Sequence, residues 1–342
     1  MSFSVGIVGL PNVGKSTLFK ALTKKPVEIA PYPFTTIQPN FGIVTVPDER
    51  LENVAKVIRP EKVTPTVIEF VDIAGLVKGA HKGEGLGNQF LAHIRNCDAI
   101  LEVIRAFSDP KVENLLGEIN PEKEIEILKI ELLMKDLETL KNIILKLEKR
   151  KEKEILKKIK LLKKIEGGAS REKLISEIDL TDEEKLEIKE YQFLTQKPIF
   201  YLLNTNGKTK FSLPKVEHLV VNLKEEEEIS ELSEAEVMEL GLKSQLDFLI
   251  KACYNVLNLI TFFTVAGGKE ARAWTVKRNS RTPEAGGAVH SDFEKKFIRA
   301  EVIPWQKLVE AGSWSKAREK GWLQIIGKDY VVQNGDVIEF KI

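Results

Sequence analysis

The chain reads as an α/β protein with a largely parallel sheet, an inserted helical hairpin and a smaller mixed α/β unit towards its C-terminal end. Three observations carry this reading. The apolar residues 5–8 run directly into Gly9-Leu10-Pro11-Asn12-Val13-Gly14-Lys15-Ser16 and then into the helix-prone residues 17–22, the order strand, glycine loop, helix. Short apolar segments then alternate with helical ones to about residue 108, as in parallel α/β folds. From Pro121 the composition changes abruptly to Lys, Glu, Leu and Ile, with apolar residues at 3–4 spacing, the periodicity of a coiled-coil seam.

Taken in order, the first strands are expected at residues 5–8, 41–46, 67–71 and 99–104. One long helix is expected from Pro121 to Glu166, with Ile130, Leu133, Leu137, Leu140, Ile144 and Leu147 on one face. Unbroken, it would extend roughly 60–70 Å at about 1.5 Å per residue. Gly167-Gly168-Ala169-Ser170 is expected to end it, and a second helical stretch follows through Leu174, Ile178 and residues 186–191, its last part opened by the capping sequence Thr181-Asp182-Glu183-Glu184. Strands at 198–203 and 218–221 and an amphipathic helix near 242–257 resume the interrupted sheet. The tail, with Trp274-Thr275-Val276 and residues 337–340 after the turn Asn334-Gly335-Asp336, reads as a small unit with late β-pairing. The expected boundaries are residues 1–120 and 197–265 for the interrupted α/β domain, 121–196 for the insertion and 266–342 for the C-terminal domain.

A length of 342 residues allows two or three domains. With 52 Lys and Arg against 51 Asp and Glu, the chain is not basic throughout. Any nucleic-acid contact must come from a local patch: Lys277, Arg278 and Arg281 beside Trp274, or Lys295, Lys296 and Arg299. Cys97 and Cys253 are the two cysteines, too few and too far apart for a disulfide framework or zinc site. Both are expected to be buried thiols in a reducing cytoplasm, and no apolar run is long enough to span a membrane.

The chemistry begins at the glycine loop. Its spacing is that of a phosphate loop, so Asn12, Val13, Gly14, Lys15, Ser16 and Thr17 are expected to wrap a nucleoside triphosphate, with backbone N–H groups and the helix N-terminus facing the phosphates. Lys15 would reach the β and γ oxygens and Ser16 would ligate Mg²⁺. Asp72 ends an apolar strand and opens Asp72-Ile73-Ala74-Gly75. In this DxxG arrangement the carboxylate holds Mg²⁺ through water and the glycine N–H meets the γ-phosphate. Between these motifs Thr36, with Thr35 as the alternative, is the expected third Mg²⁺ residue on a switch segment.

Leu76 stands where Ras-type enzymes place the water-orienting glutamine, so water activation must be arranged differently. His81 either orients water or is simply solvated. Glu102 interrupts an apolar strand and either pairs with Arg105 or a switch residue or activates water. No NKxD tetrad occurs. At the corresponding strand end the chain reads Asn204-Thr205-Asn206-Gly207, where Asn204, beside Thr205, either contacts adenine N7 and N6 or forms a polar turn.

Together, residues 9–16, Tyr32-Pro33-Phe34, residues 72–80, Gly83-Glu84-Gly85-Leu86-Gly87-Asn88 and residues 290–300 closely resemble the Obg-like ATPases, the YchF family, over essentially the whole length. The resemblance implies a translation-factor-class P-loop domain of G-protein fold, a coiled-coil insertion and a C-terminal TGS domain of ubiquitin-like β-grasp type. It further implies Mg²⁺-dependent ATP hydrolysis in preference to GTP, and association with ribosomes or ribosomal RNA through the TGS and coiled-coil regions in translational and stress control. Two positions depart from it: Gly207 replaces the glutamate of the family's NxxE base-reading tetrad, and Glu102 replaces a histidine in a His-Val-Val-Arg-like stretch. Asn12 resembles the K⁺-coordinating asparagine of related GTPases. A GTPase of the same fold and a non-catalytic nucleotide-sensing ribosome-binding module are the alternative readings.

Overall fold

The computed structural model describes residues 3–24, 41–73, 91, 93–150, 152–207, 211, 213 and 216–342. Its first sheet contains β1 (Phe3–Val8), β2 (Phe41–Thr45), β4 (Val67–Asp72), β5 (Ala99–Arg105), β6 (Ile199–Asn204) and β7 (His218–Val221) in the order β2-β4-β1-β5-β6-β7. All neighbours are parallel except β2, which runs antiparallel to β4 at the edge. The central strands are apolar on both faces and β5 is buried along its whole length, because helices cover both sides of the sheet. One side packs α1 (Lys15–Thr23) and the late helix Leu246–Val256 around Val5, Ile7, Leu101, Val103 and Leu202. The other side packs Val8, Val71, Ile100, Leu128, Leu132 and Leu194.

Leu128 and Leu132 belong to α3 (Pro121–Leu147), which begins at an Asn120 cap and lays its first turns on the sheet before leaving it. The expected single helix to Glu166 is not formed. The chain turns after Leu147 and returns as α4 (Lys153–Ala169), so the reversal lies near residues 148–152 and not at the glycines. Leu140 and Ile144 of α3 meet Ile159, Leu162 and Ile165 of α4 in one buried cluster, and Lys163 pairs with Glu148 across the turn. The 27 residues of α3 extend about 40 Å at the usual rise per residue. Gly167 and Gly168 lie inside α4. A Cβ at Gly168 would sit 2.5 Å from the Ile178 side chain, so this glycine admits the returning chain, and α4 ends at Ala169 with Ser170 as its C-cap, within the run expected to end it. The short α5 (Asp182–Ile188) starts at the expected Thr181–Glu184 capping box.

After β7 come α6 (Leu223–Ile229), α7 (Glu234–Glu239) and α8 (Leu246–Val256). The second sheet follows, with β8 (Leu259–Thr264), β9 (Glu270–Lys277), β10 (Arg299–Pro304), β11 (Gln324–Ile326) and β12 (Asp336–Lys341). Its order is β11-β10-β12-β8-β9-β3, where β3 is Lys62–Thr64, with β8 parallel to β12 and antiparallel to β9. From β11 to β9 this is the strand arrangement of a β-grasp, with α9 (Thr282–Val289) and α10 (Ser291–Lys295) packed on one face.

Two expectations change here. Strand Leu259–Thr264, assigned above to the first domain, pairs in the second sheet, so that sheet begins before residue 266. The edge strand β3 (Lys62–Thr64) comes from the first part of the chain and pairs in parallel with β9. The segment that carries β3 also carries α2 (Glu49–Ile58), whose Leu51 and Val54 are buried among Phe263, Val265, Ala273 and Val337.

Among the described residues no helix is long and apolar enough to cross a membrane. Cys97 and Cys253 are buried free thiols, and burial pushes them up to about 11 and about 12.

Candidate nucleotide site

The phosphate loop joins the C-terminal end of β1 to α1, and its glycines are required by geometry. Gly9 has φ +150° and a Cβ there would meet Val103 O at 2.3 Å. Gly14, the N-cap of α1, has φ +110° and a Cβ there would lie 2.4 Å from Asn204 Nδ2. Only glycine tolerates both the left-handed backbone and the close approach. The first turn of α1 closes through Leu18 N donating to Gly14 O at 3.0 Å, and the N-terminus of a helix is a ready site for an anion.

Ser16 Oγ donates to Asp72 Oδ2 at 3.2 Å. A hydroxyl from the first turn of α1 and a carboxylate from the end of β4 therefore converge beside the loop, and such oxygen donors suit Mg²⁺. Among the described residues no group of three or more His, Cys, Asp or Glu forms a metal cage.

Lys15 is buried at 7% exposure and donates from Nζ to Leu10 O at 2.8 Å. Burial pulls its pKa down, against the charges of Asp72 and Glu124, which push it back up. Thr17 follows in α1, half-buried. Asn12 is exposed in the left-handed region with φ 65°, and its Nδ2 donates to Glu113 O at 3.4 Å. Thr36, Gly75 and His81 lie outside the described residues.

Asn204, expected either to contact adenine or to form a polar turn, braces the phosphate loop in this structure. It is buried, its Nδ2 donates to Val13 O at 2.8 Å, and its Oδ1 accepts from Leu223 N at 3.2 Å. The amide thus ties the phosphate loop to the end of β6 and the start of α6. Thr205 N donates to Val221 O at 2.8 Å, and Thr205 Oγ1 accepts from Gly207 N at 3.1 Å. Gly207 has φ +74° and open space around it. The tight turn favours glycine where the family tetrad has a glutamate.

Glu102 is 3% exposed, and burial, then the nearby Glu124, push its carboxyl well above the usual range. The expected Glu102–Arg105 pair does not form. The Arg105 guanidinium donates instead to the carbonyls of Phe107, Val112 and Glu113, and stacks on the Phe107 ring with 4.5 Å to its centroid. Burial disfavours the charged form that a general base needs, which argues against the catalytic assignment of Glu102.

Glu124 was missed by the sequence reading. It sits in the first turn of α3, 3% exposed, and its Oε2 accepts from Arg105 N at 3.0 Å. Burial raises its carboxyl to about 7, opposed by the Arg105 N–H and by the charges of Arg105 and Lys15. The signal was present: Glu124, Leu128 and Leu132 recur every four residues on one helix face, and all three are buried.

On the second sheet, Lys277, Arg278, Lys295, Lys296 and Arg299 are exposed. Several of this group are engaged locally: Arg281 pairs with Asp329, Lys296 with Asp292, and Arg278 Nε donates to Asn258. Trp274 faces Arg272 at 4.1 Å and donates from Nε1 to Thr264.

Sheet order, glycine loop and the Ser16–Asp72 pair define a P-loop nucleoside triphosphatase of the GTPase-like α/β class. Residues 4–157 match the family model described as 50S ribosome-binding GTPase, and residues 259–342 match the YchF-type GTPase C-terminal model, described as a protein of unknown function. The chain is 44% identical to the ribosome-binding ATPase YchF of Bacillus subtilis, covering 100% of this chain and 99% of the relative. It is 42% identical to the protein of the same name from Escherichia coli O157:H7, with 99% of each covered. The solved structure of the Schizosaccharomyces pombe YchF GTPase superposes with a TM-score of 0.87 at 34% identity, over 99% of this chain and 98% of that one. The chain belongs to the YchF family.

Proposed function

We propose that this protein is a Mg²⁺-dependent nucleoside triphosphatase, ATP-preferring, that hydrolyses ATP to ADP and phosphate as a conformational switch on the ribosome. The observation that carries it is the approach of Ser16 Oγ to Asp72 Oδ2 at 3.2 Å beside the buried Lys15. Mg²⁺ held there would neutralise charge on the β and γ oxygens. Lys15 would leave Leu10 O for the same oxygens, and the backbone of Val13 and Gly14, anchored by Asn204, would cradle the β-phosphate. Thr36 is proposed as the third Mg²⁺ residue, and Gly75 as the γ-phosphate N–H donor. His81 is the proposed water-orienting group, since burial disfavours the charged form of Glu102. K⁺ at Asn12 is carried by the family resemblance, and rates in KCl against NaCl test it.

ATP preference rests on the missing NKxD aspartate and on the names of the relatives, which are called ATPases. Gly207 favours a second reading, a GTPase, because the family's base-reading glutamate is absent. Calorimetry with Mg-ATP and Mg-GTP decides between them. ATP binding tighter is the expected result, and GTP tighter by tenfold overturns the base assignment.

The helical insertion and the C-terminal unit, read as a TGS domain, are proposed as the ribosome-facing parts, and the cytoplasm as the compartment. Co-sedimentation with ribosomes at rising salt tests the contact. Binding through phosphate-facing lysines and arginines weakens as salt rises, and salt-independent binding would remove those clusters from the interface.

A further inference from the structure

An apolar groove runs along the outer side of α6. On its inner side the α6 segment is held in place: Glu227 and Glu231 pair with Lys20 and Lys24 of α1, and the buried Glu226 accepts from Ser244 Oγ and Gln245 N at 2.7 and 2.8 Å. On the outer side Ile229, Leu232 and Leu242 line a cavity of about 570 Å³, with the exposed Glu225 and Glu228 beside them and Lys224 as the one cation of the lining. Met238 and Leu240, in and just after α7, are 83% and 62% exposed. Residues 225–239 hold eight glutamates and neither lysine nor arginine.

The tip of the helical arm has the opposite character. Residues 141–164 hold eleven Lys and Arg against three Glu. Lys158, Lys163 and Lys164 are paired with Glu190, Glu148 and Glu184, whereas Lys146, Lys149, Arg150, Lys153, Lys157 and Lys160 are exposed and form no ion pair among the described residues. Leu145 and Leu156 stand out at 61% and 56% exposure. Lys153, Leu156, Lys157 and Lys160 recur at 3–4 spacing, on the face of α4 turned away from the buried Leu162 and Ile165. An apolar anchor ringed by lysines thus complements an apolar floor flanked by glutamates.

We propose that the arm tip of one copy of this chain docks in the α6 groove of a second copy. Leu156 enters the floor of Ile229, Leu232 and Leu242, while Lys153 and Lys157 meet Glu225 and Glu228 and lay their aliphatic stems on the apolar wall. Each chain carries both patches, so two copies related by a two-fold axis satisfy both at once and the assembly closes. The docked tip lies against the helix whose Leu223 N is held by Asn204, the amide that also fixes Val13 O of the phosphate loop.

Sedimentation velocity on the full chain at rising protein concentration tests the pairing. The expected result is a reversible dimer that weakens as salt rises, because the paired charges lie at the surface. Glu225→Lys with Glu228→Lys, and separately Lys153→Glu with Lys157→Glu, should each weaken it at least tenfold. Mixing the two variant proteins should restore association to near the wild-type affinity, since each groove then meets an arm of opposite charge. Leu156→Ser, which leaves the charge unchanged, should weaken the dimer at least threefold. A wild type that stays monomeric at every concentration and salt overturns the proposal, as does a dimer that none of these variants weakens or a mixture that does not recover. If the groove variant fails to fold, as thermal melts would show, the two arm variants decide: wild-type dimerisation in both sinks the contact.

Discussion

Replacing Asn204 by alanine isolates what the asparagine does for the phosphate loop. The substitution removes two buried hydrogen bonds, Asn204 Nδ2 to Val13 O at 2.8 Å and Leu223 N to Asn204 Oδ1 at 3.2 Å. It leaves a carbonyl of the loop and an N–H of the α6 start without these partners. An unsatisfied buried group costs about 1–3 kcal/mol, so the pair together should cost about 3 kcal/mol, a fall in Tm of roughly 6–12 °C. Affinity should fall as well, since Val13 is no longer fixed. At least a tenfold weaker Kd, about 1.4 kcal/mol, is expected for ATP and GTP alike. Asn204→Asp is the sharper companion: it keeps an acceptor for Leu223 N but sets a carboxylate against Val13 O, and it should bind nucleotide no better than the alanine variant. Thermal melts and calorimetry on the same samples give both numbers. A melt within 1 °C of wild type with unchanged affinity would refute the tether. A selective loss of ATP over GTP would restore the direct adenine contact.

Three other substitutions follow from the geometry. The Glu102 carboxyl has a raised pKa in the folded state, so wild-type stability is greatest below the ordinary carboxyl pKa and falls as pH rises towards the folded value. Glu102→Gln lacks that loss and should gain on the wild type in urea melts between pH 5 and pH 8, with ATP turnover within twofold; a collapse in turnover at unchanged stability would reinstate Glu102 as the base. Tyr254→Phe deletes a buried hydroxyl that lies 2.9 Å from Thr261 Oγ1 and 3.0 Å from Thr275 Oγ1. It should cost about 1–2 kcal/mol in a denaturant melt, a wild-type midpoint showing that the cluster carries no stability. Gly168→Ala drives a Cβ into Ile178, with contacts of 2.5 and 2.9 Å. Faster amide exchange at 174–178 with the phosphate loop unaffected is expected, and unchanged exchange would mean that Ile178 moves aside freely.

The parts of the fold that were legible are those where local chemistry leaves one solution. The phosphate loop is one, because Gly9 and Gly14 occupy backbone conformations and close approaches that no side chain tolerates. The capping box at Thr181 is another. Sheet membership was not legible for Leu259–Thr264: its buried run has the same pattern as the buried strands of the first sheet, and local pattern carries no information about which partner a strand finds. The position of the hairpin turn was misread because the glycines mark the end of the returning helix, which closes at Ala169, and a close contact with Ile178, whereas the reversal itself carries no glycine. Asn204 was read as contacting adenine or forming a polar turn, and its bonds to Val13 O and Leu223 N were not foreseen, since an amide that faces a ligand and one that braces a loop look alike in sequence.

The strand β3 has a consequence that neither half of the sequence announces. Lys62–Thr64 lies between two strands of the first sheet yet forms the edge of the second, where Thr64 Oγ1 donates to Glu270 Oε1 at 2.6 Å across 206 positions of sequence. The same excursion buries Leu51 and Val54 in the second core, and Arg50 Nη1 donates to Asn334 Oδ1, which also accepts from Thr261 N. Thr66 then bonds to Thr275 as the chain returns to β4. The second sheet thus draws an edge strand and part of its core from the connection between β2 and β4. Because packed interiors transmit strain, a shift of β2 against β4 would be passed through these contacts to β9 and β8. With α3 rooted at Glu124 and β3 rooted in the second sheet, the two regions proposed to face the ribosome are each built onto an element that begins at the nucleotide-binding sheet.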